Sequence, residues 1–282
     1  MQSIEARQQQ QAEIFHRLHA GPAPLVLVNA WDAASARIVE RAGAKAIGTT
    51  SAGMAWALGY ADGERMPAGE LLAACARICR VARVPVTVDI ERGFGDSAQA
   101  VREVVAELIG MGAAGINIED GTRPGTRELA SPEVLRERIA AIRGLDARFF
   151  INARSDTYFV ANDDPAARYA DTLRRARLYA SAGADGIFVP GMASLEEIAG
   201  LAEAVPLPVN VYAGHSKAPP VEVLAGAGVR RISLGCGPLQ AALGLLGRIA
   251  AEAFDDGNGS FRAMAAEMLP AGEINALFAS AP

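Results

Sequence analysis

Short apolar, β-rich runs recur along the chain at a regular spacing: LVLVNA (25–30), AIGTTS (46–51), PVTVDIE (85–91), GINIED (115–120), FFINARSD (149–156), GIFVPG (186–191), PVNVYA (208–213) and RRISLG (230–235). Between them lie Ala-, Leu- and Arg-rich stretches such as ASARIVERAG (34–43), SAQAVREVVAELIGMGA (97–113) and AARYADTLRRARLYASAGA (166–184). Each has apolar residues at helical spacing and a glycine near its end, so strand and helix alternate throughout. A βαβα order demands a parallel sheet, and eight such units predict an α/β fold of the closed (β/α)8 TIM-barrel type. An open dinucleotide-binding sheet would show G-x-G-x-x-G after its first strand, and GFGDSA after the third run lacks that pattern. No Pro/Ser linker divides residues 1–282, which predicts a single barrel domain. Residues 238–257 can serve as the eighth barrel helix. The segment 260–280 is then a surplus C-terminal helical extension, whose apolar content predicts that it covers a neighbouring subunit.

Side chains alternate along a strand, so within PVTVDIE the residues Thr87, Asp89 and Glu91 share one face, and Val86, Val88 and Ile90 the other. In a barrel the apolar set meets the helices and the polar set points inward. The same phase places Asn117 and Glu119 inward in the next run, and Asn152, Arg154 and Asp156 in the one after it. Polar inward residues therefore collect at strand C-terminal ends, where active sites of this fold are built. Carboxylates so close repel one another and are costly to desolvate without a positive partner. Every candidate ligand is an oxygen donor, which favours Mg²⁺ or Mn²⁺ over Zn²⁺. Arg154 can bind a substrate carboxylate in a bidentate fork. An internal Arg–Glu–Asp network that fills the barrel is the alternative, but it does not explain why the polar side chains collect at one end.

Other strand ends add pieces. The small residues Ser51, Ala52 and Gly53 can present backbone N–H groups to an anion, and Asp62 lies further along that loop. GTRPGTRELAS (121–131) has the composition of a mobile lid and carries Arg123 and Arg127. His215 reads as an ordinary surface histidine, and SLGCGP (233–238) only weakly resembles a phosphate-binding turn.

Composition narrows the partners. With a net charge of -5 and 27 scattered basic residues among 282, the chain offers no field for nucleic acid, and a small molecule is the expected partner. The polar N-terminus lacks the apolar core of a signal peptide, and no apolar run is long enough to span a bilayer, which predicts a cytoplasmic protein without a membrane partner. Three cysteines argue against a disulfide framework, and Cys75 and Cys79 read as packing residues on one helix face.

The succession NAWDAASARIVERAGAKAIGTTSAG, VPVTVDIERGFGD, AGINIEDG, INARSDTY, RARLYASAGADGIFVPG and LPVNV, from about Leu25 to Leu243, resembles the isocitrate lyase/phosphoenolpyruvate mutase superfamily in order and spacing. The resemblance implies a barrel that is typically tetrameric, with its last helix exchanged between neighbouring subunits, so a homo-oligomer, dimer or tetramer, is expected. It implies binding of 2-oxo acids or their enol forms on Mg²⁺, with a C–C or P–C bond made or broken beside the resulting enolate. By position it assigns Asp89, Glu91 and Glu119 to the metal. Arg154, Ser51, Ala52, Gly53 and Asn210 fall to the substrate, and Asp62, Glu119 and Arg154 to catalysis, with Asp62 on a gating segment. The lid departs from the pattern: isocitrate and methylisocitrate lyases carry K-[KR]-C-G-H after the fourth strand, and GTRPGTREL has no cysteine, histidine or lysine. The expected function is a Mg²⁺-dependent lyase acting on a small 2-oxo or 2-hydroxy di- or tricarboxylic acid. The alternatives are a P–C enzyme acting on phosphonopyruvate and a non-catalytic barrel that binds a 2-oxo acid.

Overall fold

The computed structural model describes residues 3–122, 128–160, 164–255 and 259–279. After α1 (Ile4–His19), the chain runs β1 (Leu25–Leu27), β2 (Asn29–Ala30), α2 (Ala33–Arg41), β3 (Ile47–Thr49), α3 (Ser51–Ala57), α4 (Ala68–Val81), β4 (Val86–Asp89), α5 (Ala98–Gly110) and β5 (Gly115–Glu119). It continues through α6 (Pro132–Arg143), β6 (Phe150–Arg154), α7 (Pro165–Ser181), β7 (Gly186–Phe188), α8 (Leu195–Ala204), β8 (Val209–Tyr212), α9 (Val221–Gly226) and β9 (Val229–Ser233). Three helices close it: α10 (Gly237–Ala253), α11 (Arg262–Glu267) and α12 (Ala271–Ala276).

Among the described residues the nine strands are all parallel, in the order β1-β9-β8-β7-β6-β5-β4-β3-β2. The ninth arises because the expected first strand, 25–30, is split at Val28. Its first half pairs with β9 (Leu25↔Arg231) and its second with β3 (Asn29↔Gly48), so one short run joins both ends of the sheet into a TIM-type barrel. Asn29 seals the seam. Its Nδ2 donates to the Thr49 carbonyl at 2.8 Å, and its Oδ1 accepts the Leu234 and Gly235 N–H groups at 3.0 and 2.8 Å.

The helices follow from their apolar spacing and caps. On α5, Val101, Val105 and Leu108 recur at i, i+4 and i+7 and are fully buried, each contributing about 1.5–3 kcal/mol. Ser97 caps that helix by accepting the Ala100 N–H. Gly112 and Gly183, at φ +95° and +104°, supply the left-handed turns that lead into β5 and β7. Cys75 and Cys79 are free and buried on α4, in keeping with a packing role.

The polar N-terminus, for which the sequence reading named no element, is a 16-residue helix, α1, that buries Gln8, Ala12, Phe15 and His19 along one stripe. Two sequence expectations need correction. The run 85–91 is a strand only from Val86 to Asp89. The extension at 260–280 is two short helices, because Pro270 cannot continue α11 and instead caps α12. It returns to α2, where Arg37 Nε donates to the Leu277 carbonyl at 2.9 Å.

Helix α10 buries only Leu239 and exposes Leu243 and Leu246. The outward face of β1 is likewise uncovered: Val26 is 37% exposed beside an apolar groove of about 700 Å³ that also includes Leu25, Val28 and Ile38. No helix among the described residues is long and apolar enough to cross a membrane.

Candidate active site

The C-terminal ends of β3 to β6 bring most of the expected residues to one mouth of the barrel. Asp89 ends β4, where the Ser51 hydroxyl donates to its Oδ2 at 2.9 Å and the Ser51 N–H approaches the same oxygen at 3.4 Å. The Asp89 N–H is itself held by Thr49 Oγ1 at 3.0 Å. Ser51 is thus directed at Asp89. Gly53 gives its N–H to the capping Thr50 hydroxyl, and Ala52 is half-buried in the first turn of α3. A Cβ at position 53 would lie 2.6 Å from Thr50 Cγ2, so packing alone requires glycine there.

Glu91 corrects the strand argument. It lies beyond β4 in the left-handed region (φ +49°), so strand alternation does not place it. The turn nevertheless returns it to Asp89, with its N–H 3.4 Å from Asp89 Oδ1. The side chain is buried, and its carboxyl is pushed up to about 8. Burial is the main cause; the Glu64 backbone N–H opposes it, and the charges of Asp89, Asp62 and Glu64 add to it.

Arg154 ends β6 and is fully engaged. Its Nη1 lies 2.8 Å from Glu119 Oε2, while Nε and Nη2 form a fork on Asp156 at 2.6 and 2.9 Å. The expected free fork for a substrate is therefore occupied by a carboxylate two residues further on. Burial drives the Glu119 carboxyl well above its ordinary range; Arg154 opposes this, and Asp156, Asp89 and Glu91 reinforce it. Asp120 braces this corner, accepting the Ser155 hydroxyl and the Asp156 N–H at 2.9 Å each, the Tyr179 hydroxyl at 2.8 Å and Arg175 Nη1 at 3.0 Å.

The other expected residues are more dispersed. Asp62 is exposed on the turn after α3, and its charge reaches Glu91 and Cys236. Asn210 is fully buried inside the barrel, where its Oδ1 accepts the Ser233 hydroxyl at 3.1 Å. His215 is exposed, with its Nδ1 accepting the Lys217 N–H. Arg123 and Arg127 lie outside the described residues. The flanks of their segment are held by Thr122 N–H to the Glu128 carbonyl and Ala130 N–H to the Asp120 carbonyl.

Sequence reasoning missed Glu64 and Arg92, a buried ion pair at 2.8 Å that ties the turn after α3 to the turn after β4. Two loop residues 28 positions apart leave no periodic signal. The only hint was charge next to the glycines of ERGFGD.

Among the described residues, no three His, Cys, Asp or Glu side chains form a complete metal cage. The donor chemistry nonetheless fits a hard divalent cation, which is commonly held by one or two carboxylates together with water and substrate oxygens. Among the described residues Arg154 pairs with Glu119 and Asp156, while Asp89 accepts the Ser51 hydroxyl and the Glu91 N–H, and the Glu91 carboxyl faces the Glu64 N–H.

A parallel barrel with carboxylates and an arginine gathered at its C-terminal mouth is the framework of the isocitrate lyase/phosphoenolpyruvate mutase superfamily. The chain belongs within it to the family described as phosphoenolpyruvate phosphomutase, whose profile matches residues 15–254. A solved structure from Burkholderia cenocepacia J2315, described as a "putative phosphonomutase", is 43% identical, with a TM-score of 0.81 over 86% of this chain and 99% of that one. The 2-methylisocitrate lyase of Aeropyrum pernix is 35% identical over 66% of this chain and 60% of its own length. An oxaloacetate decarboxylase of Bradyrhizobium sp. (strain ORS 278) is 31% identical over 75% of this chain and 74% of its own.

Proposed function

We propose that the protein is a Mg²⁺- or Mn²⁺-dependent lyase that cleaves a C–C bond in a small 2-oxo or 2-hydroxy di- or tricarboxylic acid, by way of an enolate. The observation that carries this reading is the gathering of the Asp89 and Glu91 carboxyls, with Glu91 burdened by the Asp89 charge, beside the Glu119–Arg154 ion pair. Asp89 and Glu91 would hold the cation directly, and Glu119 through water. When bound, the cation supplies electrophilic stabilisation of charge on a substrate oxo oxygen. Ser51, Ala52, Gly53 and Asn210 bind and orient the acid. Arg154 takes a substrate carboxylate by exchanging its fork on Asp156 for one on the ligand. Burial favours the protonated carboxyl of Glu91, so a cation bound there would release protons on binding. Asp62 acts from the exposed turn as the gating group. The lyase and decarboxylase relatives, whose names specify carboxylic acid substrates, support this substrate class.

The test is a thermal-shift screen of metal-stripped protein, with and without Mg²⁺, against pyruvate, oxaloacetate, 2-oxoglutarate, isocitrate, methylisocitrate and phosphonopyruvate, followed by product assay. A Mg²⁺-dependent shift with one carboxylic acid and release of its cleavage product upholds the proposal. A second reading, P–C chemistry on phosphonopyruvate, is favoured by the 43% identity to the Burkholderia structure and predicts phosphoenolpyruvate as product for a mutase or inorganic phosphate with pyruvate for a hydrolase. Metal-dependent binding without turnover across the panel would indicate a non-catalytic barrel.

The proposal includes a homo-oligomer that exchanges its last helix. Exposed Leu243 and Leu246 on α10, together with the uncovered groove beside Val26, support this. Light scattering on the purified chain tests it: a dimeric or tetrameric mass is expected, and a strict monomer overturns it.

A further inference from the structure

Among the described residues, the non-glycine positions with left-handed backbone are Glu64, Glu91 and Phe94, at φ +53°, +49° and +54°. All lie at the mouth, on two adjoining turns. Such conformations are unfavourable for residues with a Cβ and persist where surrounding contacts over-determine them. Here the contacts interlock. The Glu64 carboxylate accepts the Phe94 N–H at 2.9 Å and Arg92 Nη2 at 2.8 Å, while the Glu64 N–H faces the Glu91 carboxyl.

The outer side of this clasp is also held. Arg92 Nη1 donates to the Thr122 carbonyl at 2.8 Å, and Arg138 donates to the Arg92 and Gly95 carbonyls at 2.8 and 3.3 Å. The Glu119 N–H donates to the Glu91 carbonyl at 2.8 Å. The paired side chains of Glu64 and Arg92 are only 5% and 8% exposed.

We propose that Glu64 is a positioning residue whose clasp on Arg92 and Phe94 sets the Glu91 carboxyl beside Asp89, so that closing the turn around Glu64 assembles the acidic site. The inference rests on the reading of Asp89 and Glu91 as cation ligands. Glu91 lies beyond the end of β4 with φ +49°, so although the Glu119 N–H holds its carbonyl, strand alternation does not aim its side chain, and the turn directs the carboxyl. Without the Glu64 carboxylate, the Phe94 N–H and the Arg92 guanidinium lose a buried acceptor. The turn then relaxes and withdraws Glu91. Asp62, two residues before Glu64, arrives at the mouth with the same turn.

The decisive variant is Glu64→Gly, because glycine takes φ +53° without strain while deleting the carboxylate. Two readouts apply: calorimetric titration of metal-stripped protein with Mg²⁺ alone, and the crystal structure of the metal-free variant. Glu64→Gly is expected to weaken Mg²⁺ binding by about ten-fold or more, the usual effect of losing a group that orients a ligand, and to show Glu91 displaced from Asp89. Glu64→Gln, which keeps one acceptor oxygen for either the Phe94 N–H or Arg92 but not for both, should recover part of the affinity. Unchanged Mg²⁺ affinity with Glu91 in place in Glu64→Gly would overturn the proposal. If the wild-type protein takes up no Mg²⁺, the cation reading fails, and the crystal structure decides alone: a displaced Glu91 upholds the clasp and an unmoved one overturns it. Should Glu64→Gly fail to fold, Arg92→Gln is read in the same way.

Discussion

At the N-terminal end of the barrel, α1 lays Phe15 edge-on against Phe150 and stacks His19 on the same ring, at centroid distances of 5.0 and 4.1 Å. At the C-terminal end, Glu119 and Asp156 pair with Arg154, and Asp89 and Glu91 lie close enough for their charges to act on Glu119. Both ends bury titratable groups, and at both burial favours the neutral form. His19 is pushed down to about 3 by burial, helped by the nearby Arg231 charge, while Glu91 is pushed up to about 8. The two ends differ in completeness. The neutral histidine keeps Nδ1 on the Phe15 carbonyl and leaves only its buried Nε2 without a partner, packed against rings, whereas the acidic mouth gathers carboxyls that the proposed cation would complete. One end is closed by packing and the other by charge.

The sharpest way to break this contrast is at the mouth. Asp89→Asn keeps the shape of the side chain and an acceptor for Ser51 but removes the charge. It is expected to lower turnover by roughly three orders of magnitude, with little change in melting temperature, because several kcal/mol of electrostatic stabilisation are lost only in the reaction. Steady-state kinetics alongside thermal melting would check both halves. The mirror experiment is Phe15→Ala. Truncating this fully buried ring should cost about 3–5 kcal/mol in urea unfolding while leaving turnover per folded molecule unchanged.

Next in size is pH dependence, measured on metal-free protein. His19 titrates lower in the folded chain than in the unfolded one. Its contribution is therefore complete above about 6.5 and is lost as pH falls towards 3, at about 1.4 kcal/mol per unit. Glu91 titrates higher when folded than unfolded, so its contribution is complete below 4.5 and is lost as pH rises towards 8. His19→Phe should flatten the acid side of the stability profile, and Glu91→Gln the alkaline side. If each variant altered the opposite limb, the contrast between the ends would be wrong. The smallest effect belongs to neither end. Arg41→Ala, which breaks the exposed pair with Glu273, is expected to change stability by less than about 1 kcal/mol.

The same contrast shows how much was legible in the sequence. Barrel architecture was readable because its strands and helices carry period-two and helical patterns, as in Thr87–Asp89 or Val101–Leu108. Asp89, Glu119 and Arg154 were readable for the same reason: each is the last residue of a regular strand. Glu91 was singled out by the right residue type for the wrong geometric reason, since a left-handed turn rather than alternation brings it to Asp89. The occupied fork of Arg154 matches the Arg–Glu–Asp network that the sequence offered as its alternative; alternation places Glu119, Arg154 and Asp156 inward but does not reveal which of them meet. Helix α1 escaped notice because a Gln-rich segment buries only a narrow stripe. Glu64 and Arg92 escaped because contacts between loops have no period at all.

The split first strand has a consequence for how the chain comes to be. Residues 25–30 are synthesised early, yet Leu25 finds its partner only when Arg231 has emerged, and Asn29 awaits Leu234 and Gly235, 205 and 206 positions away. Loop closure over such separations is slow, and a nascent chain shorter than this carries two unpaired sheet edges. On the ribosome, the seam at Asn29 therefore cannot close before Gly235 has emerged.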